Sequence, residues 1–517
     1  MIVEALLAVT LVSAFATFLA PDKVAGKLAF VLSLLPAAGS IWMYSAFDGS
    51  GNALLGGTLA FEETFKWVSF GQYALNWHVG LDGISMPLLL LTTILTPLAI
   101  LSAWTPIQSR ESQFYGLMLF TEVCLIGLFS ALDFFVWFVF WELVLVPMYL
   151  LIGVWGGPRR KYAAIKFFVY TNVGSLLMFI GFIGLVFGLG DSIHSLSMPA
   201  IAQALNSGQL GSLGGIAPST LKTLAFFAIF IGFGVKVAVI PLHTWLPDTY
   251  AEAPTPVVIM LSSLLLKMGT YALLRFNFTM LPDVAKQYAF IIALVAVVTV
   301  IYGALLALAQ SDLKRIVAYS SISSTGYIVL GLVAFTMYGI GGATLQMVAH
   351  GLISGLMFMA VGVIYNKTGT RMVSDMSGLA DEMPITVTLF VAGAFGYMGL
   401  PLMAGFTAEF FIFVGSFHST VLAGTVAGTN GLALFTAVAM FGIVIVAGYL
   451  LFAMQQTLFG PFKLENGTEV SRASFHDVAP LVVLVLLIIL LGVQPNILYQ
   501  MIQDAVGKMA LVTGGGF

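Results

Sequence analysis

Apolar runs of about 20 residues follow one another along nearly the whole chain, separated by short segments rich in Gly, Pro and charge. A membrane hydrocarbon core about 30 Å thick requires spanning helices of this length. Strands of a membrane barrel would instead appear as alternating segments of about ten residues, and the pattern contains none. The sequence therefore predicts an all-α integral membrane protein with about 14 transmembrane helices. The predicted helices cover 2–20, 27–47, 82–104, 114–131, 133–154, 164–188, 222–246, 255–277, 287–309, 315–335, 339–364, 385–415, 432–457 and 478–499.

Composition supports a location in the lipid bilayer and limits the chemistry. Of the 517 residues, 60% are apolar and 8% are charged, whereas roughly 25% are charged in an ordinary soluble domain. The net charge of −3 gives no support for a nucleic-acid partner. The single cysteine, Cys124, cannot form a disulfide within the chain, and an iron–sulfur cluster needs about four thiolates. We therefore expect no cofactor and no metal in this chain.

The distribution of basic residues predicts the orientation in the membrane. Twelve Lys and Arg residues lie in loops that follow odd-numbered predicted helices. Only four lie in loops that follow even-numbered ones: Lys66, Lys222, Arg275 and Lys286. Because cytoplasmic loops are enriched in basic residues, both termini should face away from the cytoplasm. The first apolar run lacks the basic start and cleavage site of a signal peptide, so we expect a retained first helix.

Four charged residues of the predicted helices are the main candidates for function, because charge is expensive there. They are Glu142, Lys236, Lys267 and Glu409, and Glu122 and Asp133 are weaker candidates. A charge near the bilayer centre costs about 2.5–3.5 kcal/mol, so the four should pair or line a hydrated cavity. One interpretation is structural ion pairing between helices. The other is a proton relay, because buried lysines and glutamates can exchange protons near neutral pH.

Two histidines and two interrupted helices accompany these charges. His243 follows Lys236 by seven residues, and His350 lies within a predicted helix. Both are candidate relay groups, although a lone histidine is more often a packed core residue. Gly and Pro interrupt the runs VKVAVIPLHTWLP and MGLPLMAGFTAEF, next to Lys236 and Glu409 respectively. Paired broken helices are typical of ion sites in transporters built from inverted repeats, although prolines can also be simple kinks.

Six segments carry long motifs in unbroken order: WELVLVPMYLLIGVWGGPRRKYAAIKFFVYT, VKVAVIPLHTWLPDTYAEAPTPV, LLLKMGTYALLRF, AQSDLKRIVAYSSIS, MVAHGLISG and GLPLMAGFTAEF. Together they resemble the antiporter-like membrane subunits of complex I (NADH:quinone oxidoreductase), of the M or chain-4 type. The resemblance extends from about Asp82 to Pro495. It implies a fourteen-helix fold with two inverted five-helix repeats, helices 4–8 and 9–13, and with discontinuous helices 7 and 12. The implied parts are 1–112, a first repeat at 113–278, a second repeat at 285–458, and helix 14 with a tail at 459–517.

The resemblance also implies roles for the buried residues. Glu142 and Lys236 would form a pair that controls proton affinity. Lys267 would be the central lysine, and Glu409 would be the terminal carboxylate of the route. His350 would belong to the same polar axis.

One position departs from the family pattern. Many relatives have a histidine where this chain has Ser324, so water or a hydroxyl group would have to serve there. Neighbouring serines in AYSSISSTGY could hold such water, or could simply allow close helix contact.

The implied function is proton translocation in a respiratory complex I, with quinone reduced elsewhere in the complex. Other membrane subunits, especially neighbouring antiporter-like ones, would be the partners. The implied location is a prokaryotic plasma membrane, with the thylakoid as the alternative. Competing hypotheses are a large subunit of a multi-subunit cation/proton antiporter, an independent solute transporter, and a structural scaffold. A solute transporter predicts a polar substrate pocket, and a scaffold would tolerate leucine at Lys236 and Lys267.

Overall fold

The structure, a computed structural model, describes residues 1–425, 430–465 and 470–512 and confirms the all-α membrane fold. Thirteen helices in these ranges are long and apolar enough to cross a membrane, and one further span is divided into two shorter helices. In chain order the spans are α1 Ile2–Leu19, α2 Asp22–Ser45, α3 Ser85–Ser102, α4 Glu111–Ser130, α5 Phe134–Trp155, α6 Arg160–Leu189, α7 Pro218–Val237 with Trp245–Glu252, α8 Thr255–Met280, α9 Ala289–Leu308, α10 Leu313–Val333, α11 Met337–Thr368, α12 Pro384–Tyr397 with Ala404–His418, α13 Gly431–Thr457 and α14 Phe475–Val493.

Spans α7 and α12 are both discontinuous, as predicted. The first half of α7 ends at Val237, and Ala238 has a left-handed backbone conformation with φ of 60°. Pro241 then lacks the backbone N–H that a continuing helix would need. The first half of α12 ends at Tyr397, and Gly399 has φ of 62°, which glycine adopts without steric penalty. In each five-helix repeat, α4–α8 and α9–α13, the break therefore lies in the fourth span.

The segment between α2 and α3 forms a β-hairpin that the sequence pattern does not predict. Strands β1 (Ala60–Phe70) and β2 (Tyr73–Leu81) pair antiparallel. The hairpin covers the turn between α4 and α5, where the Leu132 N–H donates to the His78 carbonyl at 2.8 Å. Windows of helix length average over these short strands, so the segment reads as a loop.

The C-terminal region also differs from the prediction. α14 ends at Val493 rather than near 499, and a separate helix, α15 (Asn496–Val512), follows it. Pro495 separates the two helices, because proline disfavours helical conformation in the preceding residue. α15 packs against α11. Residues 466–469 and 513–517 of the predicted C-terminal part lie outside the described residues.

Arg275 lies inside α8 and not in a loop, which corrects the count of basic loop residues. Its guanidinium donates to the Asp82 carboxylate at 2.5 Å, and both side chains are 1% exposed. Burial alone would raise the pKa of Asp82, but Arg275 and the backbone N–H groups of Ala53 and Ser85 hold that pKa below its usual value. The loops after even-numbered helices thus lose one of their four basic residues, and the orientation of the termini stays a prediction.

The centre of the protein is formed by α8 and α11. The apolar windows of these two spans are 100% buried, whereas α1 and α2 are 39% buried and α14 is 33% buried. Within α8, widened π-helical turns at Leu261–Leu265 and Leu273–Met280 flank the segment that carries Lys267. Such turns occur frequently at functional sites. The fold therefore places a locally irregular, charged segment at its most buried point.

Candidate functional site

Lys236 lies at the end of the first half of α7, next to the break. It is 2% exposed, and its ammonium nitrogen is 3.3 Å from the Trp141 carbonyl oxygen. The same nitrogen is 3.9 Å from the centroid of the Trp141 ring. A tryptophan face attracts a cation, and more strongly in a desolvated site. The Trp141 indole N–H donates to the Ser175 hydroxyl at 2.8 Å, so α5 and α6 together hold the ring under the lysine.

Glu142 follows Trp141 on α5 but does not contact Lys236. No ion pair within 4.0 Å joins the two described side chains. The Glu142 carboxylate instead accepts from the Asn172 amide at 3.2 Å. Successive residues of a helix point about 100° apart, so Trp141 turns toward α7 while Glu142 turns toward α6. Lys236 thus lies against Trp141 and not in contact with Glu142, and the pairing of Glu142 with Lys236 stays a prediction.

Lys267 and His350 meet at the centre of the protein. Both are 1% exposed, Lys267 on α8 and His350 on α11. The Lys267 ammonium contacts the Nδ1 atom of His350 and donates to the Ser262 carbonyl at 2.7 Å. The structure therefore brings two of the residues singled out in the sequence into direct contact.

Hydroxyl groups extend from His350 toward α10. The Tyr397 hydroxyl is 3.4 Å from Nε2 of His350 and 3.0 Å from the Ser321 hydroxyl. The Ser321 hydroxyl is also 3.1 Å from that of Ser262, which contacts the Ser354 hydroxyl. The serine pattern of α10 points to Ser321 as a group that could hold water. Nothing in the sequence points to Tyr397, because a tyrosine in an apolar run is usually a core residue.

Glu409 lies in the second half of α12 and is 5% exposed. One carboxylate oxygen accepts from the Gln346 amide nitrogen at 3.2 Å, and the same nitrogen donates to the Ser324 hydroxyl at 3.2 Å. The other carboxylate oxygen faces the α12 break, 2.8 Å from where a Cβ atom on Gly399 would lie. Gln346, which the sequence reasoning missed, thus links Glu409 to the position that departs from the family pattern.

His243 is not joined to the other candidate groups. It lies in the loop between the two halves of α7 and is 8% exposed. Its ring centroid is 6.4 Å from that of Tyr319. Among the hydrogen bonds of the described residues, none connects His243 with Lys236 or Lys267.

The second half of α7 is held by a separate ion cluster. The Asp248 carboxylate accepts from the Lys166 ammonium at 2.7 Å and lies 3.5 Å from the Arg315 guanidinium. These three residues come from α7, α6 and α10, so the cluster ties the first repeat to the second. In the described ranges, no group of three or more His, Cys, Asp or Glu side chains could hold a metal ion.

The broken helices and the buried charges define a polytopic membrane protein of the ion-translocating, antiporter-like class. The family described as NADH:quinone oxidoreductase/Mrp antiporter, TM, matches residues 131–436. The F(420)H(2) dehydrogenase subunit M of Methanosarcina mazei is 37% identical over 99% of this chain and 98% of the relative. An NAD(P)H-quinone oxidoreductase chain 4 of Trichormus variabilis is 38% identical over 96% of this chain and 89% of the relative.

Solved structures agree with the sequence relatives. A chain of respiratory complex I from Thermus thermophilus superposes with a TM-score of 0.84 and 25% identity over the full length of both chains. This chain belongs to the NADH:quinone oxidoreductase/Mrp antiporter membrane family, and within it to the antiporter-like subunits of the complex I type.

Proposed function

We propose that this chain translocates protons as one membrane subunit of a quinone-reducing complex. The proposal rests on the buried contact between Lys267 on α8 and His350 on α11. α8 directly follows the broken helix α7, and α11 directly precedes the broken helix α12. Two buried titratable groups in contact can exchange a proton, and neither side chain is exposed enough to bind a solute from water. Relatives of nearly full length are named as subunits of a quinone oxidoreductase and of an F(420)H(2) dehydrogenase, which supports the assignment.

The proposed route begins at Lys236, passes Lys267 and His350, and ends at Glu409. Glu142 controls the first step, because it is partly exposed on α5 and adjoins the tryptophan that holds Lys236. A change of charge in a neighbouring subunit changes the electrostatic potential at Glu142. Glu142 in turn changes how strongly the charged form of Lys236 is stabilised. Lys236 then passes its proton toward the central lysine.

Glu409 is proposed as the terminal acceptor. Its two oxygens have different surroundings, one bonded to the Gln346 amide and the other directed at the break in α12. A break frees backbone groups that water or polar side chains must satisfy, so it offers a hydrated path away from the carboxylate. Gln346 stabilises the charged form of Glu409, which is the form that can accept the next proton.

The energy for translocation comes from partner subunits. Moving one charge against 100 mV costs about 2.3 kcal/mol, and we expect no redox cofactor in this chain. The two relatives are named for different electron donors, F(420)H(2) and NAD(P)H, although this chain resembles both almost equally. We therefore assign the choice of donor to other subunits. The repeat boundaries at 113–278 and 285–458, and termini that face away from the cytoplasm, belong to the same proposal.

A cation/proton antiporter subunit is the second candidate, because the matching family also includes Mrp antiporters. The two candidates differ in what drives the proton. In the complex I assignment, proton movement requires electron transfer to quinone. In the antiporter assignment, a sodium gradient alone drives proton movement in vesicles without any electron donor.

The proposal is tested with Lys236→Ala in inverted membrane vesicles that contain the assembled complex. Proton pumping and quinone-reductase activity are measured in the same sample. Lys161→Ala is the matched control, because Lys161 is an exposed lysine on α6. We expect Lys236→Ala to lose both activities while Lys161→Ala retains them. If Lys236→Ala still pumps protons, the proposal is wrong and the buried charges are structural ion pairs between helices.

A further inference from the structure

The Tyr397 hydroxyl lies between the central histidine and α10. Tyr397 is the last residue of the first half of α12 and is 7% exposed. Its ring meets the His350 ring edge-on, with centroids 5.7 Å apart and an interplanar angle of 73°. The hydroxyl is 3.4 Å from Nε2 of His350 and 3.0 Å from the Ser321 hydroxyl. Because α12 ends its first half here, this hydroxyl reaches α10 and α11 at the level of the break.

The hydrogen bonds through Tyr397 all run in one direction. A protonated lysine has donors only, so the Nδ1 atom of His350 accepts from Lys267. A neutral imidazole with an accepting Nδ1 carries its hydrogen on Nε2, and this tautomer is assigned from the bonding pattern. The Nε2–H then donates to the Tyr397 oxygen, which leaves the Tyr397 O–H to donate to Ser321.

We propose that Tyr397 is a proton-relay residue. It carries the proton of Lys267 from His350 to the serine face of α10, which Ser321 and Ser324 form. The inference rests on the proposed function, and it names a step that the buried charges alone do not supply. In the described part of the chain, Tyr397 is the one group that is hydrogen-bonded both to His350 and to a side chain on α10.

The serine face leads onward to Glu409. Ser321 and Ser324 are three residues apart on α10, so their side chains are neighbours about 5–6 Å apart on one face. Ser324 shares the Gln346 amide with the Glu409 carboxylate. Water can bridge Ser321 to Ser324, and further water can continue from Ser324 to the Glu409 carboxylate. The first half of α12 thus carries the relay tyrosine, and its second half carries the terminal carboxylate.

The transfer balances with water as the only added participant. Lys267 gives a proton to Nδ1 of His350, and the Nε2 proton moves to the Tyr397 oxygen. Tyr397 gives its own proton to Ser321, which passes one to the bridging water, and the proton moves through water and the Ser324 hydroxyl until a water molecule protonates the Glu409 carboxylate. Each intermediate group gains one proton and loses one. The net change is a neutral Lys267 and a neutral Glu409.

The test compares Tyr397→Phe with Tyr327→Phe in the assembled complex. Tyr327 is also buried, at 2% exposed, but its hydroxyl donates to the Ala439 carbonyl at 3.1 Å, and none of its hydrogen bonds in the described residues reaches a titratable side chain. Proton pumping per quinone reduced is measured in inverted vesicles, in water and in deuterium oxide. Loss of one relay group should lower pumping by at least about tenfold and raise the solvent isotope effect. Tyr327→Phe should match the parent in both measurements.

Two further variants distinguish a failure of the Tyr397 relay from a failure of the proposed function. Lys267→Met tests the proposed function itself: if it still pumps, that function fails whatever Tyr397→Phe does. If Lys267→Met loses pumping while Tyr397→Phe behaves as Tyr327→Phe does, only the relay is overturned. Should Tyr397→Phe not assemble, Ser321→Ala removes the next group and should give the same loss and isotope effect. Normal pumping by Ser321→Ala would also overturn the relay.

Discussion

The pair of Asp82 and Arg275 gives a prediction whose size follows from its burial. Both side chains are 1% exposed and 2.5 Å apart, and the Asp82 carboxylate also accepts from the Ala53 N–H at 2.9 Å. Removal of one partner from such a pair costs about 3–5 kcal/mol, because the other charge stays buried and unpaired. We therefore expect Arg275→Met to lower the folding equilibrium of the subunit by roughly a hundredfold to several thousandfold.

The pH dependence of this loss has a defined sign. In the parent, Arg275 holds the pKa of Asp82 below its usual value of about 3.9, so the pair stabilises the fold above that pH and is lost only in stronger acid. In Arg275→Met, burial without a cation raises the pKa of Asp82. The defect should therefore be largest at neutral pH and should shrink as the pH falls and Asp82 becomes protonated.

The assay is the fraction of purified complex that retains this subunit after heating at a series of temperatures and pH values. The control is Arg275→Met combined with Asp82→Asn, which removes both charges, keeps a side-chain oxygen that can accept from the backbone N–H group of Ala53 or Ser85, and should recover most of the loss. If Arg275→Met dissociates at the parent's temperature, or if the double variant is as unstable as the single one, the reasoning is wrong.

Two further predictions concern the ends of the proposed route. Replacement of Trp141 by Leu removes the ring under Lys236, a contact worth about 2 kcal/mol in a desolvated site, and should lower proton pumping by up to about thirtyfold. Trp141→Phe keeps a ring and should lower pumping less. Equal pumping by the two variants would show that the ring does not matter. Gln346→Met removes the amide that donates to Glu409, a charge-assisted bond worth about 1.5–3 kcal/mol, and should lower pumping about tenfold or more. Thr344→Val, a buried change on the same helix, should leave pumping unchanged, and an equal loss in both would point to packing instead.

Much of the fold and the charged residues of the proposed route could be predicted because they leave a strong signal in the sequence. Spans of about 20 apolar residues are unmistakable, and a charge inside one stands out because it is costly. Lys267 and Glu409 were identified in this way. The breaks in α7 and α12 were visible because Pro and Gly interrupt otherwise uniform runs.

The remaining features depend on tertiary contacts. Gln346 and Tyr397 are neutral side chains in apolar runs, so they carry no cost that would single them out; only packing brings one to Glu409 and the other to His350. The spacing of Glu142 and Lys236 along the chain likewise could not show that Lys236 contacts Trp141. The hairpin was missed because its strands are shorter than a spanning helix.

The most direct test of the account is a measurement of protons pumped per quinone reduced in vesicles that carry Lys267→Met. Methionine nearly matches lysine in size but has no proton to give, so assembly should be retained. The account predicts that pumping is lost and that quinone reduction, which depends on it, falls as well. Pumping at the parent's ratio would contradict the claim that the buried lysine on α8 conducts protons.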